Sequence, residues 1–398
     1  MTADFLLSDI QVLELGHIVA GPSAGLILAD MGANVIKIER PQGGDQARAR
    51  PDQSLFMTFN RNKRSMAMNL KHPAGKDVFA QLVQGADVVV DNYAPGALER
   101  LGFSYEEMAK INPRIIHCSI KGFLPGPKGN RPLLDEPAQM MGGLAYMTGP
   151  RGRPLRAGTS VIDIGAAMFG VIGILAALHE RHKTGRGKSV RSGLFETTVF
   201  FVAQHMAKAG VTGNVPSPAP ERSIGKDLGW AIYKIFMTKD QRQVFIGVTS
   251  DAHWERFCQE FQICDCWEDI SLRTNQGRVK QHALVNDRVK QIAETLESDL
   301  LIERLEKCQV PYAVVNTPMD LLQEPHLRES DHYVQVTAPN GATTGLPRLP
   351  MIFNTPQKPL HKNPPKLGEH TVQIMLDLGY SQDKIEALIQ EGVIGGRM

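Results

Sequence analysis

The first third of the chain alternates short β-branched runs with helix-sized segments. The runs are IQVLEL (Ile10 to Leu15), NVIKIE (Asn34 to Glu39), ADVVVDN (Ala86 to Asn92) and RIIHCSI (Arg114 to Ile120). Their mostly continuous apolar character marks strands buried on both faces, so the rhythm predicts βαβ units around a parallel sheet. Between the first two runs, the segment Pro22 to Met31 is opened by Gly21-Pro22 and closed by Gly32. That is the proline-early, glycine-late asymmetry of a helix.

From Asp163 the segment DIGAAMFGVIGILAALHERHKTGRG begins with a capping-type acid, runs apolar for four turns and ends in basic residues before Gly185. It predicts one long central helix whose last turn, His179 to Lys183, sets positive charge against the negative end of the helix dipole. Its uncharged part, Ile164 to Leu178, is about fifteen residues long, short of the ~20 that a spanning helix needs. A buried core helix is expected. SVRSGLFETTVFF then reads as a strand feeding another helix.

GNVPSPAP (Gly213 to Pro220) breaks this pattern with three prolines. Beyond it, IYKIFMTKDQRQVFIGV reads as a hairpin turning at Lys239-Asp240, followed by polar helices and the strand VPYAVV. The expected organisation is a large Rossmann-like domain over 1–212, a smaller α+β domain over 213–325, and a strap with a returning C-terminal part over 326–398. Six prolines between Leu346 and Pro365 preclude a regular hydrogen-bond ladder there and predict an extended strap. A helical stretch, Glu369 to Glu391, closes the chain.

Charge narrows the function classes. With 44 Lys+Arg against 42 Asp+Glu among 398 residues, the formal net charge is +2. No field of that size draws in nucleic acid or an anionic membrane, so a basic site has to be local. The opening MTADFLLSDIQVLELG carries Asp4 and has no basic region ahead of an apolar stretch, so a cytoplasmic protein is expected. Cys118, Cys258, Cys264, Cys266 and Cys308 are odd in number and irregularly spaced, which argues against a disulfide framework. Cys264 and Cys266 have no matching second pair, so free thiols and no metal are expected.

The first βα turn, LGHIVAGPSAG, places glycines at 16, 21 and 25, which is not the dinucleotide fingerprint. Glu39 sits about where a ribose-binding acid would, but Arg40 follows it and the glycine spacing is wrong for NAD. His17 reads as a packed or capping residue. Cations recur in the loops after the strands: Arg40, Arg48, Arg61, Lys63, Arg64, Lys71 and Arg100. Ligands of open parallel sheets bind beyond the carboxyl ends of the strands, so these residues either converge on one crevice for a polyanion or are scattered solvated charges. Asp163, at the start of an otherwise uncharged helix, reads as an N-cap or as a carboxylate kept ionised, and nucleophilic, by the helix terminus. Asp135 and Glu136 lie at a loop-to-helix passage, as a solvated turn or as a second carboxylate. H-E-x-x-H and the P-loop are absent from the sequence.

The stretches ELGHIVAGPSAGLILADMGANVIKIERPQGGD, FNRNKRSMAMNLKHPAGKD, ADVVVDNYAPGALERLGF and DIGAAMFGVIGILAALHERHKTGRG, with PPKLGEHT near the end, resemble the class III coenzyme A transferases. The resemblance is strong from Val12 to Gly187 and general in character from Gly213 to Pro325. It implies a ring-shaped subunit, with the Rossmann-like domain and the small domain joined in a ring, and two rings interlocked as a homodimer. It implies Asp163 as the nucleophile, through an aspartyl anhydride and an aspartyl-CoA thioester, with acyl-CoA and a carboxylic acid as substrates and no tightly bound cofactor. Matched positions assign CoA contacts to Val19, Ala20, Arg40, Met68, Lys71, Asn92, Tyr93 and Arg100, with Arg40, Lys71 and Arg100 facing phosphates. Asp135 falls where a substrate or acyl intermediate would be touched.

Three departures bear on specificity. The formyl-CoA enzyme's glycine-rich loop over the active site has no clear counterpart; the region reads RSIGKDLGW, with only Gly225 and Gly229. Val19 replaces a glutamine of the oxalate enzyme, and its lysine near Pro132 has no counterpart, which argues against an oxalate-like acceptor. Succinyl-CoA and a small dicarboxylate remain candidates, and Arg151, Arg153, Arg156 or Lys226 near the site would favour a dicarboxylate. The alternatives are an α-methylacyl-CoA racemase, which would lack one base because Leu134 stands where that subgroup has a histidine, and a CoA-binding protein without turnover.

Overall fold

β1 (Gln11–Leu15) is the middle strand of a seven-stranded sheet, flanked by β2 (Asn34–Glu39), β3 (Arg64–Met68), β4 (Val88–Asp91), β5 (Ile116–Lys121) and β6 (Ser189–Gly193). In this computed structural model, which describes residues 5–222, 229–354 and 361–395, the strand order is C-terminal strand, β3, β2, β1, β4, β5, β6. All pairings are parallel except that of the C-terminal strand, Ile394–Gly395, which runs antiparallel to β3. The order therefore reverses between β2–β1 and β1–β4, and the loops after β1 and β4 diverge there to open a crevice at the carboxyl edge.

Alternate residues of each strand feed two cores, as the pleat requires. Val12, Val35, Val88, Val90, Cys118 and Ile120 pack with α1 (Ala20–Asp30) on one face. Leu13, Leu15, Ile36, Ile38 and Val89 pack on the other with α2 (Pro73–Gly85) and the helices Thr371–Asp377 and Gln382–Gln390. The strand expectations hold to within two residues, and β2 coincides with NVIKIE.

The central helix runs over 161–184 and ends on Gly185 in the left-handed conformation, with Arg181, His182 and Lys183 in its last turn. It is the crossover between β5 and β6, and Arg181 reaches Asp87 at 2.8 Å. Ile162, Ala166, Val171, Ile174 and Leu178 fill the core beside α1, while Met168, Phe169 and Ile172 are exposed. Among the described residues it is the one helix long and apolar enough to cross a membrane, and half of its most apolar window is buried. Asp163 is its third residue and Ser160 its N-cap, so the N-cap expectation for Asp163 is incorrect.

Two further expectations are corrected. The closing helix is two helices, because Gly379 adopts φ +86° and reverses the chain between them. β3 and the C-terminal strand were not anticipated; RSMAM has no β-branched residue to signal a strand. The strap begins as half of an antiparallel hairpin, Tyr333–Thr337 with Thr343–Pro347. Residues 348–354 and 361–366 carry no regular structure, and Lys362 exchanges hydrogen bonds with Asn62 at 2.6 and 2.9 Å.

By internal contacts the chain forms two units, the first comprising Met1–Thr148, Arg153–Asn214 and Pro325–Met398, the second Gly149–Gly152 and Val215–Glu324. The second holds an antiparallel sheet of β7 (Tyr233–Met237), β8 (Gln243–Gly247) and β9 (Tyr312–Val314). Its core is built on Trp254, Phe257, Val285, Val289, Leu301 and Leu305. Asp240 closes the β7–β8 turn by accepting hydrogen bonds from Thr238 and Ser298.

Candidate active site

A cleft of about 910 Å³ opens at the strand-order reversal. Gly16 and His17 enter it after β1, Glu39 to Asp45 after β2, Met68 to Lys71 after β3, and Tyr93, Ala97 and Arg100 after β4. Of the eight residues expected to contact CoA, Arg40, Met68, Lys71, Tyr93 and Arg100 line this cleft. Arg40, Lys71 and Arg100 are exposed cations, and Lys76 joins them in the lining. Val19 and Ala20 are buried at the start of α1. Asn92 stands behind the wall: its side chain accepts from the His17 N–H at 2.9 Å and donates to the His17 carbonyl at 3.0 Å.

The remaining cations of the sequence list do not converge there. Arg48 pairs with Glu39, Arg61 with Asp30, Lys63 with Glu14 and Arg64 with Asp377. Glu39 is fully committed, accepting from Arg48 at 2.7 and 2.8 Å and from Ser65 at 2.6 Å. Burial alone would raise its carboxyl, but Arg48 and Lys37 hold it below the usual range. An acid so occupied is not free to bind a ribose.

His17 was read from sequence as a packed or capping residue, yet it forms part of the cleft wall, with its ring 5.9 Å from that of Tyr93. Burial lowers its pKa against the opposing pull of Asp45, so the imidazole is neutral at pH 7. Nothing in its spacing signalled this; its place follows from the crevice between β1 and β4.

Asp163 lies in the first turn of the crossover helix, at the carboxyl edge of the sheet where helices of βαβ units start, and it does not line the 910 Å³ cleft. Asp135 sits beneath it, at the start of α3 (Asp135–Met141). Asp135 Oδ2 accepts the backbone N–H of Ile162 at 2.8 Å and of Asp163 at 3.0 Å, and Oδ1 accepts from Gln139 at 2.5 Å. Gln139 in turn accepts from the Ala157 N–H at 2.8 Å. Asp135 thus does the capping expected of Asp163, from outside the helix. Burial, with Asp135 adding like charge, pushes the Asp163 carboxyl up to about 7. The expectation of an acid held firmly ionised by the helix start is not met, because Asp135 takes those N–H groups.

Arg156 pairs with Glu136 at 3.0 Å, and Arg151 with Glu221 at 3.1 Å. Lys226 and most of RSIGKDLGW lie outside the described residues.

A cationic cleft at the switch point of a parallel sheet, with a half-buried carboxyl of raised pKa at the same sheet edge, fits a site for a polyanionic ligand. The CoA-transferase family III model matches residues 7–371, and the chain belongs to that family. CoA transfer is therefore its reaction class. The chain is 32% identical over 398 residues to the succinyl-CoA:glutarate CoA-transferase of Mus musculus, covering 98% of this chain and 90% of that one. It is 31% identical to the succinate–glutarate CoA-transferase of Agrobacterium fabrum, over 94% and 95% of the two chains. It is 32% identical to the formyl-CoA:oxalate CoA-transferase of Escherichia coli O157:H7, over 98% and 99%. Among solved structures, a CAIB/BAIF family protein from Brucella suis superposes with a TM-score of 0.83 at 29% identity, covering 94% of this chain and all of that one.

Proposed function

We propose that the protein moves CoA reversibly from an acyl-CoA, succinyl-CoA foremost, to a small dicarboxylic acid, with Asp163 as covalent nucleophile. The observation that carries this reading is a half-buried carboxyl with a pKa of about 7 at the same sheet edge as a cleft rimmed by Arg40, Lys71 and Arg100. CoA carries three phosphate groups, and three exposed cations in one cleft match that charge. A carboxylate with a raised pKa is more basic, hence a stronger nucleophile, and near neutral pH a substantial fraction is ionised.

The bonds balance without any other reagent. The Asp163 carboxylate attacks the thioester carbonyl, forming a mixed anhydride and expelling CoA thiolate. The thiolate attacks the aspartyl carbonyl, giving an aspartyl-CoA thioester and the free donor acid, which leaves with one oxygen of Asp163. The acceptor carboxylate repeats the two steps in reverse. Asp135 and Gln139 hold the helix start in place, a positioning role rather than contact with substrate. The relatives named for succinyl-CoA, succinate and glutarate support the dicarboxylate assignment. Leu134, 73% exposed where a racemase would carry its second base, gives no group for α-proton transfer.

Wild-type protein given succinyl-CoA and a panel of mono- and dicarboxylates should form a new acyl-CoA with a dicarboxylate, as read by mass spectrometry. A panel that yields no new thioester contradicts the reading. Arg40→Ala and Arg100→Ala should each raise KM for the CoA thioester about 10-fold, the ~1.5 kcal/mol of a charged hydrogen bond, with a smaller change in kcat. Steady-state kinetics at low and high salt check this, because the variants should also show a weaker salt dependence.

We propose further that two copies form the interlocked homodimer. Met168, Phe169 and Ile172 of the crossover helix, with Phe200, Phe201 and Met206, leave an apolar face exposed on the first unit, larger than isolated surface residues account for. Interlocked rings separate only when one ring opens. Sedimentation should therefore give twice the chain mass, with no monomer appearing on dilution to nanomolar concentration.

A further inference from the structure

A buried row of charges that the chemistry above does not use, Lys63, Glu14, Lys37 and Asp45, ends at the cleft lining on Asp45. Glu14 is 2.6 Å from Lys63 and 2.7 Å from Lys37, and Lys37 is 2.8 Å from Asp45. All four side chains are fully buried. Two cations and two carboxylates cancel, but taking four charges out of water is costly compared with apolar side chains of the same volume. The row ends on the first turn of the sheet. Lys37 donates to the Gly16 carbonyl at 2.9 Å, and Asp45 Oδ1 accepts the Ile18 N–H at 3.0 Å.

Ile18 has φ +66°, the left-handed region, which a β-branched residue occupies only under constraint. The neighbouring backbone leaves no slack. A Cβ on Gly16 would lie 2.8 Å from the Gly21 backbone, and one on Gly21 would lie 2.6 Å from the Gly16 Cα. Asn92 holds both polar groups of the His17 backbone from the opposite side. The turn thus held carries His17 into the cleft wall and leads directly into Val19 and Ala20.

We infer that Asp45, anchored by Lys37, is a positioning residue that imposes the left-handed conformation on Ile18 and so sets His17 and the start of α1 against the bound thioester. The inference deepens the proposed transfer reaction and rests on it for its kinetic consequence. Its structural consequence stands alone. Asp45→Asn keeps the size of the side chain but sets an amide against Lys37, loosening the anchor. Glycine reaches positive φ at no steric cost, so Ile18→Gly removes the strain that the anchor has to hold.

Asp45→Asn, Ile18→Gly and the double variant are to be compared by succinyl-CoA:glutarate transfer kinetics, hydrogen–deuterium exchange of the 16–20 segment and thermal unfolding. In Asp45→Asn, kcat should fall at least 10-fold with KM for the thioester changed less than threefold, and the Ile18 amide should exchange at least 10-fold faster. Adding Ile18→Gly should return kcat to within threefold of the Ile18→Gly single variant. A merely structural Asp45 would show no such rescue, and absence of rescue together with an unchanged Ile18 amide overturns the inference. If Asp45→Asn alone does not fold, recovery of a cooperative melt in the double variant is the supporting result and continued misfolding the contradicting one. A wild type that transfers no CoA would contradict the reaction, while the exchange data would still decide whether Asp45 holds the turn.

Discussion

Asp163→Asn should abolish CoA transfer, lowering kcat roughly a thousandfold or more, the scale of losing a covalent nucleophile, while leaving the fold intact and slightly more stable. An amide cannot form the anhydride, yet it matches the carboxylate in shape beside Asp135. The stability effect has a definite sign. Burial and Asp135 raise the folded-state pKa from 3.8 to about 7, so between those values the folded chain holds a proton that the unfolded chain has lost. Stability from this group is present at low pH and declines as pH rises toward 7; above 7 the ionised, half-buried carboxylate is a full penalty. The variant removes that penalty, which after discounting for partial exposure is on the order of 1 kcal/mol at pH 8. Thermal unfolding should show a wild-type deficit that is larger at pH 8 than at pH 5, where the unfolded carboxyl is already ionised and only part of the penalty has built up. In wild type, the same titration should make kcat rise with pH through about 7 and then level, provided chemistry limits turnover.

Lys37→Met should be the most damaging single substitution in the buried row. Burial alone would lower the pKa of Lys37, but Glu14 and Asp45 more than reverse this and keep it charged well above the ordinary range. Lys63 is held by Glu14 at 2.6 Å, the Pro22 carbonyl at 2.8 Å and Asn60 at 3.0 Å, so it is a poor substitute partner for Asp45. Removing Lys37 leaves Asp45 without its cation inside the protein, at a cost of about 3–5 kcal/mol. Denaturant unfolding should show the midpoint moving down by that equivalent. By contrast, Lys110→Ala breaks an exposed pair with Glu107 and should cost less than about 1 kcal/mol. Similar losses in the two variants would refute the account of the buried row.

The sheet was legible because β1, β2, β4 and β5 are apolar runs buried on both faces, which leaves little choice of element. β3 was not, because Arg64, Ser65, Met66, Ala67 and Met68 form a strand through their neighbours rather than through propensity. The cleft was legible in kind but not in membership. Arg40, Lys71 and Arg100 look no different in sequence from Arg48, Arg61 and Lys63, and only the register of distant acids separates the free cations from the paired ones. Glu14 and Lys37 did leave a signal that went unused. A charge in the middle of a strand buried on both faces needs a partner, and the parallel register sets Glu14 directly beside Lys37. The capping of the crossover helix by Asp135 was out of reach, since it joins residues 27 and 28 positions apart through tertiary structure that no local pattern encodes.

The most direct test of Asp163 as covalent nucleophile follows the oxygen atoms. Succinyl-CoA is turned over with glutarate labelled with ¹⁸O in both carboxylates, and the peptide containing Asp163 is then analysed by mass spectrometry. Transfer through the anhydride leaves one acceptor oxygen on Asp163 in each cycle, so the peptide should gain heavy oxygen and later pass it to the released succinate. An unlabelled Asp163 peptide, recovered while glutaryl-CoA accumulates, would contradict the covalent route.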